Sequence, residues 1–380
     1  MLNKKKILIF GPQSFKYDYA KVSMHFIAEY LADLGNEVTY VGGSCNFLDL
    51  CRYRKSDKMI AAWSRKNRYH KINSNLKEYY FRNIFPSNRK FIFCGAQLES
   101  YSWLENSFLN QQFDVFITDV SFLVVLSHKV NAKCKVLRVN DIPGGSKGVS
   151  LYVTEKIEKC IKENVFDLFF PAADATLQYV ERLGIPHSKN IKIPNGVDLN
   201  IFNVNYRNKY KNFKNRAVFI GTFNDWFDVG LVNSVANILT DWKFDIYGFG
   251  DVPFFTAKNI NYKGPLDFKL IPETLSNYTV GIMPFKNTKH IQSSDPLKFF
   301  QYIAAGLGVA CTLIDSYVLR MKEYAFFGTS PLDFSQAIIN AQNNLEMRNC
   351  NDLELFLEEN SWSNRLSELS NKIHDSLILG

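Results

Sequence analysis

The sequence lacks closely spaced cysteines and any histidine cluster. Its seven cysteines fall at positions 45, 51, 94, 134, 160, 311 and 350 without a C-x-x-C pair, and its six histidines are scattered. Disulfide frameworks and structural zinc sites both depend on such clusters. We therefore expect reduced thiols, no metal ion and no other resident cofactor, as in a cytosolic protein.

Long apolar runs are also missing. Residues 1–10 are basic and then apolar for only four residues, and the apolar stretch 302–314 is interrupted by Gly306 and Gly308. A membrane span needs about 20 apolar residues and a signal peptide needs a longer apolar core than this one. The expectation is a cytoplasmic chain that does not cross a membrane.

Apolar residues are nevertheless plentiful over the whole chain. The 380 residues are 46% hydrophobic and 15% aromatic, and no repeat or low-complexity tract is visible. This composition excludes a disordered chain and a solenoid, and it suffices for two hydrophobic cores.

The positive charge is concentrated in residues 51–90. This segment holds twelve basic and two acidic residues, an excess larger than the net charge of +8 for the whole chain. Seven aromatic residues lie among the basic ones, as in segments that dock on anionic membrane surfaces. A solvated basic region with core aromatics is an equal alternative. Nucleic-acid binding is weaker, because no recognised module surrounds the segment, and we expect no nucleic-acid partner.

The hydrophobic pattern alternates between strands and helices in two successive series. The first series predicts strands over 6–10, 38–41, 113–117, 135–139, 168–171 and 191–194, with a helix over 21–34. The second predicts strands over 217–220, 243–247, 259–263, 279–283 and 309–313, with helices over 229–239, 268–276 and 296–305 and a last helix over 363–377. Two doubly wound, Rossmann-like α/β domains facing each other across a cleft would produce this order, with the ligand site at the carboxyl ends of their strands.

The stretch 293–306 carries the clearest chemical signal. Pro296 suits the start of a helix, and Ser294 or Asp295 is positioned to cap it. The amino end of a helix attracts phosphate, and Lys298 adds a full positive charge there. Gln301 shares the helical face of Lys298 and can reach sugar hydroxyls. An ordinary capped helix with a solvated lysine explains the same residues equally well.

Several motifs resemble known glycosyltransferases. The Lys298-x-x-Gln301 helix, the Pro-Asn-Gly-Val-Asp turn at 194–198 and Ser361-Trp362 resemble nucleotide-sugar enzymes of the GT-B fold. Met-His-Phe-Ile at 24–27, Arg-Val-Asn-Asp at 138–141 and the stretch 293–301 resemble the GumK-like, membrane-associated β-glucuronosyltransferases of glycosyltransferase family 70. The resemblance implies an acceptor domain over 1–198 with a docking segment at 51–90, a nucleotide-sugar domain over 199–362, and a helix over 363–380 that returns to the first domain.

The resemblance also implies a donor site and a stereochemical class. Its UDP-sugar site would comprise seven residues, namely Phe223, Gly264, Phe285, Ser294, Leu297, Lys298 and Gln301. The resembled family has Met, Tyr and Met where this chain has Phe223, Phe285 and Leu297, and core residues at strand ends remain an alternative for them. Retaining GT-B enzymes carry two glutamates where this chain has Ser293 and Gln301. This difference favours an enzyme that inverts the configuration at the anomeric carbon.

An inverting transferase needs a general base at a strand end. Asp141 follows the apolar strand 136–139 and precedes a Pro-Gly-Gly turn, and the family's base aligns with it. A purely structural role in that turn is the alternative. Asp119, at another strand end, is the second candidate, and both Asp119 and His25 are placed on the acceptor side. For His25, a packed core position is the more common role.

Together these features predict an inverting, metal-independent glycosyltransferase that uses a UDP-sugar, with glucuronic acid as the candidate sugar. The acceptor would be a polyprenyl-diphosphate-linked glycan of bacterial exopolysaccharide, capsule or O-antigen synthesis, met at the inner face of the cell membrane by a peripheral protein. A retaining GT-B enzyme on a soluble acceptor and a non-catalytic, membrane-peripheral scaffold are the alternatives.

Overall fold

A computed structural model of the protein describes residues 2–15, 21–46, 69–83, 105–144, 151–202 and 214–379. The chain forms two compact units. The first comprises residues 1–194 and 366–380, and the second comprises residues 195–365. Each unit is built around one sheet, and each is described below by itself.

The sheet of the first unit is parallel except at one edge. Its described strands are β1 (Lys6–Gly11), β2 (Glu37–Asn46), β3 (Tyr69–Lys71), β4 (Leu76–Asn83), β5 (Gln112–Asp119), β6 (Asn131–Val139) and β7 (Leu168–Pro171). They lie in the order β3-β4-β2-β1-β5-β6-β7, and only the β3–β4 pair is antiparallel. The central strands are buried on both faces, which explains why they appear in the sequence as continuous apolar runs.

Helices connect these strands in the manner of a doubly wound fold. They are α1 (Ser23–Asp33), α2 (Leu151–Lys162) and α3 (Asp174–Arg182), with a 3₁₀ helix over Phe122–Lys129 between β5 and β6. Beneath them, the ring of Phe10 packs edge-on against those of Phe81 and Phe116.

Two strand predictions in this unit differ from the structure. The strand predicted over 38–41 is formed but longer, because β2 continues through Gly42 to Asn46 beside β4. A Cβ atom at Gly42 would lie 2.6 Å from the Gln13 carbonyl oxygen, so the glycine serves a close backbone approach rather than a strand end. The strand predicted over 191–194 is not formed. Only the amides of Ile191 and Ile193 donate to β7, because the next amide in that alternation, Asn195 N, donates to Asp295 instead.

The basic segment 51–90 is described only in its middle. Within it, β3 and β4 form the antiparallel edge of the sheet, with Lys71 opposite Lys77. Residues 51–68 and 84–90 lie outside the described part of the chain. The docking prediction therefore remains a prediction.

The sheet of the second unit is parallel throughout its described strands. These are β8 (Arg216–Phe223), β9 (Lys243–Gly250), β10 (Ile260–Gly264), β11 (Val280–Met283), β12 (Gly308–Thr312) and β13 (Ala325–Gly328), in the order β10-β9-β8-β11-β12-β13. The helices are α4 (Val229–Ile238), α5 (Ile271–Leu275), α6 (Lys289–Ser293), α7 (Leu297–Ala304), α8 (Asp315–Met321), α9 (Pro331–Asn343) and α10 (Cys350–Glu359). The α/β fold with two Rossmann-like parallel sheets is thereby confirmed.

The last helix, α11 (Trp362–Leu379), begins in the second unit and belongs to the first from Leu366 onward. There the Ser376 hydroxyl lies 3.7 Å from the Cys134 sulfur on β6. Within the described ranges, no helix is both long enough and apolar enough to span a bilayer.

Candidate functional site

Two aspartates meet at the carboxyl edge of the first sheet. Asp119 is the last residue of β5, and Asp141 follows the end of the neighbouring strand β6 by two residues. Asp119 is only 5% exposed, and its Oδ1 accepts a hydrogen bond from the Ser121 amide at 3.0 Å. Burial, with a further contribution from the Asp141 charge, raises the pKa of Asp119 to about 6. The two carboxylates therefore act on each other electrostatically.

A buried arginine anchors the chain just before Asp141. Arg138 is 1% exposed, and its Nη1 donates to the carbonyl oxygens of Phe170, at 3.3 Å, and Ile193. Its Nε donates to Asn140 Oδ1 at 2.9 Å, and the Ser23 hydroxyl donates to the same oxygen at 3.1 Å. This network fixes the turn that carries Asp141, and the sequence-based reasoning missed it. The available signal was Arg138, the one charged residue of the otherwise apolar run 136–139.

The His25 side chain hydrogen-bonds to the backbone of the loop that follows β1. Its Nδ1 accepts from the Val22 amide at 3.3 Å, and its Nε2 lies 3.0 Å from the Gln13 carbonyl oxygen, which also accepts from the Tyr40 hydroxyl at 2.9 Å. These contacts require the neutral tautomer with its hydrogen on Nε2. Both ring nitrogens thus hold backbone groups, as expected of a packed residue that anchors a loop.

Lys298 and Gln301 lie together on one face of α7, as their spacing predicts. The Lys298 ammonium donates to Gln301 Oε1 at 3.0 Å. Gln301 is buried, and burial lowers the pKa of Lys298 to about 8. Among the described residues, no carboxylate forms an ion pair with this ammonium. A partly desolvated cation at the amino end of a helix is a strong attractor for an anion.

The predicted cap of this helix is wrong. Pro296 occupies the N-cap position, and no side chain caps the helix. The Ser294 hydroxyl instead donates to the Ile291 carbonyl at 3.0 Å and lies 2.8 Å from the Tyr317 hydroxyl. Asp295 turns away to Asn195 and Arg320. The first backbone amides of α7 therefore have no side-chain acceptor.

Phe223 and Phe285 belong to an aromatic cluster of the second unit. Phe223 is 2% and Phe285 8% exposed, and both pack with Phe219. The Phe223 ring also fills the space beside Gly248, where a Cβ atom would lie 2.7 Å from it. Neither ring has an open face for a nucleobase in this structure, so the geometry favours the interpretation of both residues as core.

The two remaining predicted donor residues are more accessible. Leu297 is partly exposed in the first turn of α7. Gly264 ends β10 with a φ of +80°, and no atom lies within 4 Å of the place where its Cβ would be. Its backbone therefore faces open space at the carboxyl edge of the second sheet.

Metal chemistry has no obvious site in the described part of the chain. Among those residues, no group of three or more His, Cys, Asp or Glu side chains lies close enough together to hold an ion.

Comparison with known proteins identifies the fold. No family model matches the chain. The TuaH protein of Bacillus subtilis (strain 168), named as a glycosyltransferase of teichuronic acid biosynthesis, is 30% identical over 165 residues, which cover 38% of this chain and 40% of that protein. The chain thus matches about two fifths of the length of this curated relative.

Solved structures match over nearly the full length. Sucrose-phosphate synthase from Thermosynechococcus elongatus superposes with a TM-score of 0.75 at 10% identity, covering 98% of this chain and 99% of that one. HepE of Anabaena, solved with UDP and glucose, gives 0.61 at 12% identity with 98% and 99% covered. A glycosyltransferase from Rickettsia africae gives 0.62 at 13% identity with 99% of both chains covered. The chain therefore has the GT-B fold.

Proposed function

We propose that this chain is a GT-B glycosyltransferase that transfers a sugar from a UDP-sugar with inversion and without a metal ion. The observation that carries the proposal is the amino end of α7, where backbone amides without a side-chain cap lie beside the Lys298 ammonium. These are the groups that a diphosphate would need. Two proteins that share its fold were solved with ligands that contain UDP. HepE was solved with UDP and glucose, and the Escherichia coli trehalose-6-phosphate protein was solved with UDP-2-fluoro glucose.

In the proposed reaction, Asp141 acts as the general base. Its carboxylate removes the proton from the acceptor hydroxyl while that oxygen attacks the anomeric carbon, and the bond from this carbon to the UDP oxygen breaks. The negative charge that UDP gains is stabilised by Lys298 and by the amides of α7. Arg138 and Asn140 keep Asp141 in place. Asp119 lies beside it on the acceptor side.

The proposed acceptor is a polyprenyl-diphosphate-linked glycan, and the proposed location is the inner face of the cell membrane. Support comes from the basic, aromatic-rich segment 51–90 and from a relative named for the biosynthesis of a cell-wall polymer. Glucuronic acid remains the candidate sugar. Lys286 and Lys289, both exposed and preceding α7, are candidates to bind its carboxylate.

The experiment compares wild type with Asp141→Asn. Titration calorimetry with UDP, GDP and ADP tests nucleotide choice, and UDP is expected to bind most tightly. Transfer from UDP-sugars is expected to fall about 10²–10⁴-fold in the variant, the usual contribution of a general base, while UDP affinity is unchanged.

The other outcomes separate the alternatives. Unreduced transfer in the variant would refute the role of Asp141. A product that keeps the donor's anomeric configuration would indicate the retaining enzyme. Wild-type protein that binds no nucleotide but sediments with anionic vesicles would indicate the scaffold.

A further inference from the structure

Ser294 and Asp295 directly precede Pro296, the N-cap of α7, and neither polar side chain caps the helix. Ser and Asp are among the preferred capping residues, because their oxygens accept from the first helical amides. A carboxylate also interacts favourably with the positive end of the helix dipole. The Asp295 carboxylate instead contacts other residues of the second unit.

Among the described residues, Asn195 and Arg320 are partners of Asp295. The Asn195 backbone amide donates to Asp295 Oδ2 at 2.6 Å, and its side-chain Nδ2 donates to the Asp295 carbonyl at 2.7 Å. On the other side, Arg320 Nε lies 2.6 Å from Asp295 Oδ1, and its guanidinium stacks over the Phe300 ring of α7 at 5.0 Å. Asp295 is 6% exposed, so little water competes for this carboxylate.

Lys298 shows that the carboxylate is held away from the helix start. Lys298 lies in the first turn of α7 and Asp295 just before the helix, so a carboxylate turned toward the helix start could pair with the Lys298 ammonium. Yet the Lys298 ammonium donates to the neutral Gln301 amide, and burial alone accounts for the lowered pKa of this lysine. No contribution from the Asp295 charge enters this pKa.

We propose that Asn195 and Arg320 are positioning residues that sequester the Asp295 carboxylate, so that a diphosphate rather than the protein's own carboxylate occupies the amino end of α7. This inference rests on the proposed function for the identity of that anion. A released Asp295 carboxylate is an internal competitor, because it can accept from the free amides and pair with Lys298. The diphosphate needs the same amides and the same Lys298 ammonium.

Arg320→Met tests this idea because it releases Asp295 while keeping most of the side-chain volume. UDP affinity, measured by titration calorimetry, is expected to fall about five- to tenfold, the cost of displacing a carboxylate cap of roughly 1 kcal/mol. Asp295→Asn alone retains an oxygen for the Asn195 amide and is expected to bind UDP like wild type. The double variant Arg320→Met, Asp295→Asn is expected to recover wild-type affinity, because no charge is left to compete.

Arg216→Met is the matched control. Arg216 Nη2 lies 3.6 Å from Asp245 Oδ2 in the same unit, at the amino end of β8, the end of the strand opposite to the ligand-binding edge. This variant also removes a positive charge beside a buried aspartate, and it is expected to leave UDP affinity unchanged. Thermal denaturation of all variants shows whether any loss of affinity follows a loss of folded protein.

A second readout does not depend on the ligand. In Arg320→Met, the released carboxylate should raise the pKa of Lys298 above its value of about 8 in wild type, whereas the double variant should keep the wild-type pKa. The titration can be followed by NMR of ¹³C-methylated lysines, with Lys298→Arg to assign the signal. An unchanged Lys298 pKa in Arg320→Met, or a double variant as weak as Arg320→Met, would overturn the inference. Wild-type protein that binds neither UDP nor pyrophosphate would overturn the proposed function instead.

Discussion

Raising the pH from 7 to 9 should weaken UDP binding through a single residue, Lys298. Burial lowers the pKa of this lysine to about 8 in the free protein. A bound diphosphate places negative charge beside the ammonium and raises its pKa, so the complex holds the lysine charged throughout this range. Binding above pH 8 must then take up a proton, and the affinity falls as that proton becomes scarce.

The size of the effect follows from the pKa of the free protein. With a pKa of about 8, roughly nine tenths of the lysines are charged at pH 7 and roughly one tenth at pH 9. The apparent Kd should therefore rise about tenfold between these values, which is about 1.4 kcal/mol. The last phosphate ionisation of UDP, near pH 6, is essentially complete over this interval and contributes little.

Titration calorimetry at pH 7, 8 and 9, in two buffers of different ionisation enthalpy, measures both the affinity and the protons taken up. About half a proton per UDP is expected at pH 8, the pKa of Lys298 in the free protein. Lys298→Arg, which stays charged, should bind with no pH dependence and thereby controls for changes in the ligand. Wild-type affinity that is flat from pH 7 to 9, or the same slope in Lys298→Met, would refute the assignment.

Three further predictions concern stability and membrane binding. Asp119→Asn should stabilise the protein at pH 7.5 by at most about 3 kcal/mol. Because the pKa of Asp119 is raised to about 6 in the folded state, wild type loses stability as the pH rises from 4 to 6, and the variant does not. Chemical denaturation at pH 7.5 and pH 4 should show the gain at the higher pH only. Gly281→Ala should destabilise the second unit by about 1–3 kcal/mol, because the new Cβ would lie 2.3 Å from the Tyr302 ring; a melting temperature equal to that of wild type would contradict this. Reversing the charges of Arg52, Arg54 and Lys55 should reduce sedimentation with anionic liposomes, most strongly at low salt; equal sedimentation would remove the docking proposal and leave the chemistry untouched.

The fold could be predicted where strands are buried on both faces. The apolar runs at β1 and β7 are continuous, and their predicted positions agree with the structure to within one residue. Strand β4 was missed because it lies next to the sheet edge and mixes Lys77 and Arg82 with its buried residues. Strand β13 was missed for another reason, since four residues are too few to show a period.

In the candidate site, contacts between residues close in the sequence could be predicted, whereas contacts between distant residues could not. The three-residue spacing of Lys298 and Gln301 is a property of any helix, so their hydrogen bond could be predicted. The missing cap could not, because Asn195 lies 100 residues from Asp295 in the sequence. Local propensity favours a capped helix, and only the tertiary contacts redirect the carboxylate.

Burial shifts the pKa of two groups of the proposed enzyme toward neutral pH. It raises the pKa of Asp119 to about 6 and lowers that of Lys298 to about 8. Transfer needs an ionised Asp141 and a charged Lys298, so kcat/KM should fall on the alkaline side as the pH rises through the Lys298 pKa of about 8. Lys298→Arg should remove the alkaline limb alone. Asp119→Asn should leave the alkaline limb in place, because burial alone lowers the pKa of Lys298, and a shifted alkaline limb in this variant would show that the limb does not report Lys298.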